Sequence, residues 1–336
     1  MSAAILQVKE VSKRFGGLQA LTEVTFDLAE GEILGLIGPN GAGKTTLFNV
    51  INGVYPPSAG TVIFRGEEIT GLPSYDVARR GMARAHQVVR PLTDLTVREN
   101  VMVGACFGRE RHGLRAAHRL ADEALTQVGL IDRADQPSGS LNVAQKKRLE
   151  MARSLAARPY LILLDEVLAG LNPSEIAAMM ATVRAIRDDG VTILMIEHVM
   201  QAIMSISDRI LVLDYGTLIA TGPPNEVANN PQVIEAYLGD PNLTAQLLSD
   251  TFLKGADIVF LLGCGGPSCK FYDGWNKVDR TAKGLELLLQ DLGLEPERLF
   301  VATSADDDGE SLAKTMVEAS RRARELGPSP YKGGTK

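Results

Sequence analysis

The sequence predicts an α/β protein built on a mainly parallel sheet, with a second, smaller α/β unit at its carboxyl end. Short apolar runs rich in Val, Ile and Leu alternate with longer amphipathic stretches through the first 240 residues. The clearest runs are residues 33–37, 161–164, 191–196 and 210–213. Strands that helices cover on both faces have this uniformly apolar character. The alternation of strands with helices in turn favours parallel pairing.

A mainly helical insert interrupts this alternation. No strand-like run occurs between residues 92 and 140, whereas residues 114–128 carry apolar side chains at helical spacing. We therefore expect a helical subdomain over about residues 92–150, inside a first domain of residues 1–240.

A cluster of turn-forming residues at 239–242 marks the predicted domain boundary, and a new pattern begins at Leu243. The second domain, residues 241–336, is predicted to contain helices over about 243–254, 276–292 and 309–326. Strands are predicted over residues 257–263 and 299–303. The tail is thus expected to be a small α/β domain.

Composition excludes several classes of protein. The 336 residues are 45% hydrophobic and 23% charged, which is typical of a globular chain. A net charge of −6 offers no general field for nucleic acid, so no nucleic-acid partner is expected. Three cysteines are too few for a secreted disulfide framework, and residues 1–10 lack the pattern of a secretion signal. The apolar runs are far shorter than the roughly 18 residues of a membrane-spanning helix.

Residues 38–45, Gly-Pro-Asn-Gly-Ala-Gly-Lys-Thr, fit the pattern of a phosphate-binding loop between a strand and a helix. Glycines let backbone N–H groups close around phosphate oxygens, Lys44 neutralises the β and γ phosphates, and Thr45 offers an oxygen to Mg²⁺. The pattern predicts a site for a nucleoside triphosphate. Its expected contact residues are Gly38, Asn40, Gly41, Gly43, Lys44, Thr45 and Thr46.

A second part of this site is predicted where the apolar run of residues 161–164 ends in two acids, Asp165 and Glu166. The first carboxylate is placed to support Mg²⁺, and the second to act on the attacking water as general base. Taken alone, an acidic helix cap after a strand is the competing interpretation. The phosphate loop makes the catalytic interpretation the better one.

These motifs, in this order, resemble the ATP-binding subunit of ATP-binding cassette (ABC) transporters over about residues 5–239. Gln87, the signature region at residues 141–145, the segment 169–173 and His198 continue the family's series. The resemblance implies that Gln87 contacts Mg²⁺ and relays to a membrane subunit, and that His198 contacts the γ-phosphate. It also implies that Phe15 stacks on adenine, the alternative being an ordinary core aromatic.

Four shorter stretches are similar to importer ATPases for branched-chain amino acids: residues 15–18, 170–173, 207–210 and 235–239. The implied solute is a hydrophobic amino acid or a related small polar molecule, which other subunits recognise. The implied partners are a second ATP-binding subunit, transmembrane permease subunits and, indirectly, a solute-binding protein. The implied location is peripheral, on the cytoplasmic face of the cell membrane.

The signature region departs from the family pattern Leu-Ser-Gly-Gly-Gln. Here Asn142, Val143 and Ala144 stand between Leu141 and Gln145. In the family the signature of one subunit faces the nucleotide of the other, and the methyl group of Ala144 obstructs a close backbone approach. Asn142 and Gln145 retain hydrogen-bonding groups. We therefore expect reduced activity for this chain alone and a heterodimer with an intact partner. Val167, in place of the usual proline, is expected to matter little.

Basic residues gather within the helical insert, where a solvated face is the favoured interpretation and docking to a membrane subunit or anionic lipid is the alternative. They are Arg109, Arg111, His112, Arg115, His118 and Arg119.

The tail resembles the carboxyl-terminal half of the delta subunit of methyl-viologen-reducing hydrogenases, an iron–sulfur electron-transfer family, over residues 243–330. Cys264 and Cys269 are predicted to lie in a turn after a buried strand, where they could ligate iron, form a disulfide or do neither. Cys106 belongs to the other domain. A cluster generally needs four protein ligands, so an iron–sulfur cluster within one chain is not the favoured outcome.

Two other functions compete with a role in transport. One is a soluble ABC ATPase that acts on nucleic acid or translation, and the other is an electron-transfer component with a fused nucleotide-binding domain. Soluble members commonly carry two cassettes in one chain, whereas this sequence has a single set of motifs. The sequence therefore favours a transport ATPase.

Overall fold

The computed structural model describes residues 4–86, 89–238, 251, 256–264, 289, 294–304 and 309–329. The chain divides into two compact units, residues 1–233 and 234–336. The predicted boundary at residue 240 lies outside the described residues.

The first unit begins with an antiparallel sheet in the order β2-β1-β4-β5. Its strands are β1 (Ala4–Phe15), β2 (Leu18–Ala29), β4 (Ala59–Phe64) and β5 (Glu67–Glu68). Strands β1 and β2 alternate buried and exposed side chains over much of their length. One face therefore packs on the core and the other meets solvent, as is usual for antiparallel sheets.

The central sheet has six strands in the order β10-β9-β3-β8-β7-β6. They are β3 (Ile33–Ile37), β6 (Met82–Ala85), β7 (Leu161–Asp165), β8 (Thr192–Ile196), β9 (Arg209–Asp214) and β10 (Thr217–Gly222). Only the β9–β10 pair is antiparallel. Every residue of β3, β7 and β8 is buried, which explains their uniformly apolar sequences. The predicted α/β class is confirmed, with the four predicted strands displaced by at most one residue at either end.

Helices connect these strands and form the insert. They are α1 (Lys44–Ile51), α2 (Ser74–Arg79), α3 (Val97–Phe107), α4 (Leu114–Gln127), α5 (Val143–Ala156), α6 (Pro173–Asp188), α7 (Met200–Ile206), α8 (Pro224–Ala228) and α9 (Pro231–Leu238). The insert consists of α3, α4 and α5 with two short 3₁₀ turns, and α4 matches the helix predicted over residues 114–128.

Three helices of the first unit begin with the same local signal. A capping box joins Thr96 to Glu99 at α3, Asn142 to Gln145 at α5 and Asn172 to Glu175 at α6. In each box the side chain at the helix start accepts a backbone N–H three residues later, and the later side chain reciprocates. These sequences therefore set where the helices start.

The second unit contains two parallel strands, β11 (Val259–Cys264) and β12 (Leu299–Ser304), and helix α10 (Gly309–Leu326). The strands and the last helix agree with the predicted elements. Of the two other predicted tail helices, residues 243–254 and 276–292 lie outside the described residues except for Thr251 and Leu289.

The order of the central sheet gathers three loops at one edge. Register pairs Leu36 of β3 with Ile196 of β8, and Ile196 with Asp165 of β7. Because these strands are parallel, the segments that follow them leave the sheet side by side. Those segments are the phosphate loop, the acidic pair and the segment that contains His198.

Candidate active site

The phosphate loop lies between β3 and α1, and its glycines are required by its shape. Gly38 has a φ of 153°, and a Cβ there would lie 2.1 Å from the carbonyl oxygen of Leu213. Gly43 has a φ of 100°, and its Cβ would lie 2.6 Å from the carbonyl oxygen of Ala20. A side chain at either position would clash with the backbone of a neighbouring strand, β9 for Gly38 and β2 for Gly43, so the loop could not keep this shape. The expected contact residues Asn40, Gly41 and Thr45 are exposed, and Thr46 is half-buried.

Lys44 is the first residue of α1 and is 6% exposed. Its Nζ donates to the carbonyl oxygens of Gly38 at 2.7 Å and Pro39 at 2.9 Å. Burial lowers the pKa of Lys44, while the negative charges of Glu166 and Asp165 oppose that shift. The carbonyl groups of the loop therefore surround the Lys44 ammonium group, which also interacts electrostatically with both acids.

Asp165, the last residue of β7, is 3% exposed. Its Oδ2 pairs with Arg84 Nη2 at 2.6 Å, and Arg84 Nη1 donates to Asn49 Oδ1 at 2.6 Å. Its Oδ1 is buried and has no hydrogen-bond partner. A buried carboxylate oxygen without a partner is costly, which makes it a fitting ligand for a cation. Arg84 has no local signal in the sequence, because a single arginine in a short edge strand has no distinguishing spacing.

Glu166 and His198 meet at this edge. Glu166 Oε1 lies 2.7 Å from His198 Nε2, and the two side chains are 15% and 32% exposed. Glu166 has a φ of 51°, in the left-handed region, and its N–H donates to the carbonyl of Ile196 at 2.9 Å. Non-glycine residues in that region need support from their surroundings. The two predicted catalytic side chains are thus brought into direct contact.

Two further charged residues surround this pair and were missed by sequence reasoning. Glu197 is 1% exposed, its Oε1 accepts the N–H of Leu168 at 2.8 Å, and its Oε2 is buried with no hydrogen-bond partner. Lys147 of α5 is 7% exposed and its Nζ donates to the carbonyl of Glu166 at 2.9 Å.

Burial shifts both groups towards their neutral forms. It raises the pKa of Glu197 from its ordinary value of 4.5 to about 7, against the opposing effects of the Leu168 N–H and Lys147. Burial also lowers the pKa of Lys147, and the charges of Glu197 and Glu166 oppose that shift.

Phe15 ends β1 on the surface and is 40% exposed. Its ring meets Tyr55 edge to face at 5.3 Å between centroids, and Lys13 Nζ lies 5.0 Å from its centroid. An exposed aromatic of this kind is not part of the core, so the competing interpretation of Phe15 is disfavoured. Tyr55 was missed because one aromatic between apolar and turn residues carries no pattern.

The signature region lies at the start of α5. Asn142 Oδ1 accepts the Gln145 N–H at 2.9 Å, and Gln145 Oε1 accepts the Asn142 N–H at 3.0 Å. Val143 is 61% exposed and Ala144 is half-buried. Gln87 lies outside the described residues, two positions after the end of β6.

Basic side chains of the insert contact acids nearby. Arg109 pairs with Glu110, which also contacts His112 at 2.7 Å. His118 lies 3.4 Å from Asp122, and Arg119 lies 3.7 Å from Glu123. These pairs locally offset much of the positive charge, as the interpretation of a solvated face requires.

The predicted pair of Cys264 and Cys269 lies partly outside the described residues. Cys264 ends β11, Cys269 lies outside the described residues, and Cys106 is a free, half-buried thiol on α3. In the part of the chain that the structure describes, no group of three His, Cys, Asp or Glu side chains is arranged to hold a metal ion.

Comparison with characterised proteins identifies the first unit. The chain is 42% identical over 255 residues to the high-affinity branched-chain amino acid transport ATP-binding protein LivG of Salmonella typhimurium, covering 71% of this chain and 100% of LivG. It is 41% identical over 258 residues to BraF of Pseudomonas aeruginosa, described in the same words, with the same coverage. The chain belongs to this family of ABC transporter ATP-binding proteins.

Three family models match successive parts of the chain. The model described as ABC transporter matches residues 21–169, and the one described as branched-chain amino acid ATP-binding cassette transporter matches residues 217–241. Residues 239–327 match the model of the methyl-viologen-reducing hydrogenase delta subunit. Both predicted resemblances are confirmed. As an ABC ATPase, the chain hydrolyses ATP to drive transport.

Solved structures confirm the fold. The ADP conformation of the ATP-binding cassette MJ1267 superposes with a TM-score of 0.65 at 29% identity, over 71% of this chain and 100% of MJ1267. The cbiO1 protein of Clostridium perfringens gives a TM-score of 0.62 at 27% identity, over 73% of this chain and 99% of cbiO1. In the described part of the chain, every helix is too short or too polar to cross a bilayer.

The buried carboxyl of Glu197 makes a prediction about stability. Between the ordinary pKa of 4.5 and the raised value of about 7, the unfolded chain loses this proton while the folded chain keeps it. The contribution of Glu197 to the free energy of unfolding therefore falls by about 3 kcal/mol as the pH rises through that window. In Glu197→Gln this dependence should disappear. Denaturant unfolding of both proteins from about pH 5 to about pH 8 checks this, and a pH-independent difference between them would contradict it.

Proposed function

We propose that this chain is the subunit that binds and hydrolyses ATP in an importer for branched-chain or other hydrophobic amino acids. The observation that carries the proposal is the contact between Glu166 and His198 at 2.7 Å, beside the phosphate loop. The names of LivG and BraF support the solute class.

Binding of ATP is assigned to the phosphate loop and α1. Backbone N–H groups of residues 38–45 approach the phosphates, and the positive end of α1 adds to the attraction. Lys44 exchanges its two loop carbonyls for β- and γ-phosphate oxygens. Phe15 offers an exposed ring to adenine, which stacking stabilises by about 1–3 kcal/mol.

Thr45 and Asp165 are the residues assigned to Mg²⁺. The unpaired Oδ1 of Asp165 suits a hard cation, and Mg²⁺ in nucleotide sites commonly takes few protein ligands besides phosphate and water. Mg²⁺ supplies neutralisation of phosphate charge when bound. Gln87 keeps the role that the family resemblance implies.

Hydrolysis needs a base for the attacking water. Glu166 accepts a proton from water while the water oxygen bonds to the γ-phosphorus. The bond from the γ-phosphorus to its bridging oxygen breaks, so ADP and inorganic phosphate leave. His198 Nε2 contacts the Glu166 carboxylate and orients it. Contact of this histidine with the γ-phosphate keeps the role that the family resemblance implies.

The proposed assembly pairs this chain with a second ATP-binding subunit and transmembrane permeases on the cytoplasmic face of the membrane, served indirectly by a solute-binding protein. A solved ABC cassette with a TM-score of 0.60 at 25% identity, MJ0796, is described as dimeric, which supports pairing of cassettes. We favour a heterodimer because Val143 and Ala144 occupy the usual glycine positions of the signature.

Replacement of Lys44 tests nucleotide binding. Lys44→Ala removes the cation assigned to the β and γ phosphates, and a lost charged hydrogen bond is worth about 1.5–3 kcal/mol. The Kd for ATP should therefore rise by roughly 10–100-fold. Calorimetric titration measures it, with Lys9→Ala, at an exposed position of β1, as the matched control. Equal affinities in the two variants would contradict the assignment.

Replacement of Glu166 tests catalysis. The amide in Glu166→Gln preserves size but accepts no proton, so ATP should still bind while turnover falls by about 10²–10⁴-fold. Phosphate release and ATP affinity are measured on the same preparation. Near-normal phosphate release would remove Glu166 from its catalytic role.

The altered signature predicts an asymmetric dimer. The isolated chain should hydrolyse ATP slowly, and an ATPase partner with an intact signature should restore one of the two composite sites. The combined variant Asn142→Ser, Val143→Gly and Ala144→Gly should raise the activity of the isolated chain. Phosphate release is compared for the single chain, the mixture, and the mixture with Glu166→Gln in this chain. Fast turnover by the isolated wild-type chain would contradict the obstruction argument.

A further inference from the structure

The short turn that contains Glu166 is fixed from two sides by buried charged side chains. Lys147 Nζ donates to the Glu166 carbonyl at 2.9 Å. The N–H of Ala169, three residues further along the chain, donates to the same Glu166 carbonyl at 3.3 Å and closes the turn. On the other side, Glu197 Oε1 accepts the Leu168 N–H at 2.8 Å. We refer to Lys147 and Glu197 as the turn clamp.

Burial of these two side chains is costly. Lys147 is 7% exposed and Glu197 is 1% exposed, and one oxygen of Glu197 is buried with no hydrogen-bond partner. Apolar side chains would fill the same space without desolvating charge, so stability alone does not account for the pair. Its contacts are instead directed at the backbone of residues 166–168.

The backbone of Glu166 needs such support. Its φ of 51° lies in a region that non-glycine residues seldom adopt. Its N–H is fixed by Ile196 and its carbonyl by Lys147, while the carboxylate meets His198. Loss of the Lys147 contact therefore frees the turn to rotate and to carry the carboxylate away from His198.

Lys147 also links this turn to an exposed part of the surface. It lies in the first two turns of α5, two residues after Gln145 of the capping box. The capped end of α5 presents Asn142 and Val143 to solvent. Lys147 lies one turn from this exposed end, so a displacement of that end would also shift the Lys147 ammonium relative to Glu166.

We propose that Lys147 and Glu197 are positioning residues for Glu166, and that Lys147 transmits displacements of the exposed end of α5 to the Glu166 carboxylate. The proposal rests on the proposed catalytic role of Glu166. It adds a device by which contacts at the signature region regulate hydrolysis at the nucleotide of the same chain.

Variants at Lys147 test the first part, in whichever assembly supports wild-type turnover. Lys147→Met keeps the length of the side chain but donates nothing, and misplacement of a catalytic group should lower kcat by roughly 10–100-fold. The KM and Kd for ATP should stay within about twofold, because the phosphate loop is untouched. Lys147→Arg, which retains a donor, should recover most of kcat.

Lys146→Met is the matched control, since Lys146 is the half-buried neighbour on the same helix. An unchanged kcat in Lys147→Met, an equal loss in Lys146→Met, or a rise in KM without a fall in kcat would overturn the proposal. Glu166→Gln is assayed in parallel. Full turnover in Glu166→Gln would reject the proposed function itself. Loss of turnover in Glu166→Gln together with full activity in Lys147→Met would reject only the proposed role of the turn clamp.

Glu197 keeps the proposal testable if Lys147→Met fails to fold. Glu197→Gln retains an acceptor for the Leu168 N–H and should keep kcat within about threefold, whereas Glu197→Leu removes the acceptor and should lower kcat by roughly tenfold or more. Equal kcat values in these two folded variants would overturn the role of Glu197.

A double-mutant cycle tests transmission. Asn142→Ala removes the side-chain cap of α5 and loosens its exposed end. If Lys147 carries that displacement, the combined variant should lose less kcat than the product of the two single losses. Losses that multiply would show that α5 and the turn act independently, and would overturn the second part of the proposal.

Discussion

The parallel register of β3, β8 and β7 is the constraint on which the site depends. Leu36, Ile196 and Asp165 are paired across these strands, so the segments that follow leave the sheet at one level. Each of these strands is buried along its whole length. A shift in register would expose apolar residues at one end of a strand and bury charged loop residues at the other, so burial holds the register in place. Hydrophobic burial thereby places Lys44, Asp165, Glu166 and His198 in one electrostatic neighbourhood, although Asp165 follows Lys44 by 121 positions and His198 follows it by 154.

Local sequence was sufficient where the chemistry is local. The phosphate loop could be predicted because its glycines, its lysine and its flanking strand and helix are contiguous, and the acidic pair because it ends an apolar run. Arg84, Lys147 and Glu197 could not be predicted in this way. Arg84 is one charge in a short strand, Lys147 is one of several charges on α5, and Glu197 directly follows β8. No local spacing distinguishes them, and the importance of each arises from a partner 19 to 81 positions away. Burial is the property that distinguishes them, and it depends on tertiary packing.

The departures of residues 142–144 from the family pattern are compatible with a stable start of α5. Asn142 and Gln145 use their side-chain oxygens on each other's backbone N–H groups, so the cap of α5 needs no glycine. Helix propensity even favours Ala144 over glycine at this position. The substitutions therefore preserve α5, and hence the position of Lys147, while changing the exposed surface at Val143. Any effect on hydrolysis is expected through contacts with a partner and not through collapse of the helix.

The carboxyl-terminal unit has a polar centre of its own. Arg298 is 1% exposed and donates to the carbonyl oxygens of Asp257, Leu326 and Gly327, while Glu295 accepts from its Nε at 2.6 Å. Arg298 directly precedes β12, and its guanidinium thus hydrogen-bonds the segment before β11 and the end of α10. Cys264 and Ser304 are paired at the carboxyl ends of the two parallel strands, which is the edge where loops of α/β units carry ligands.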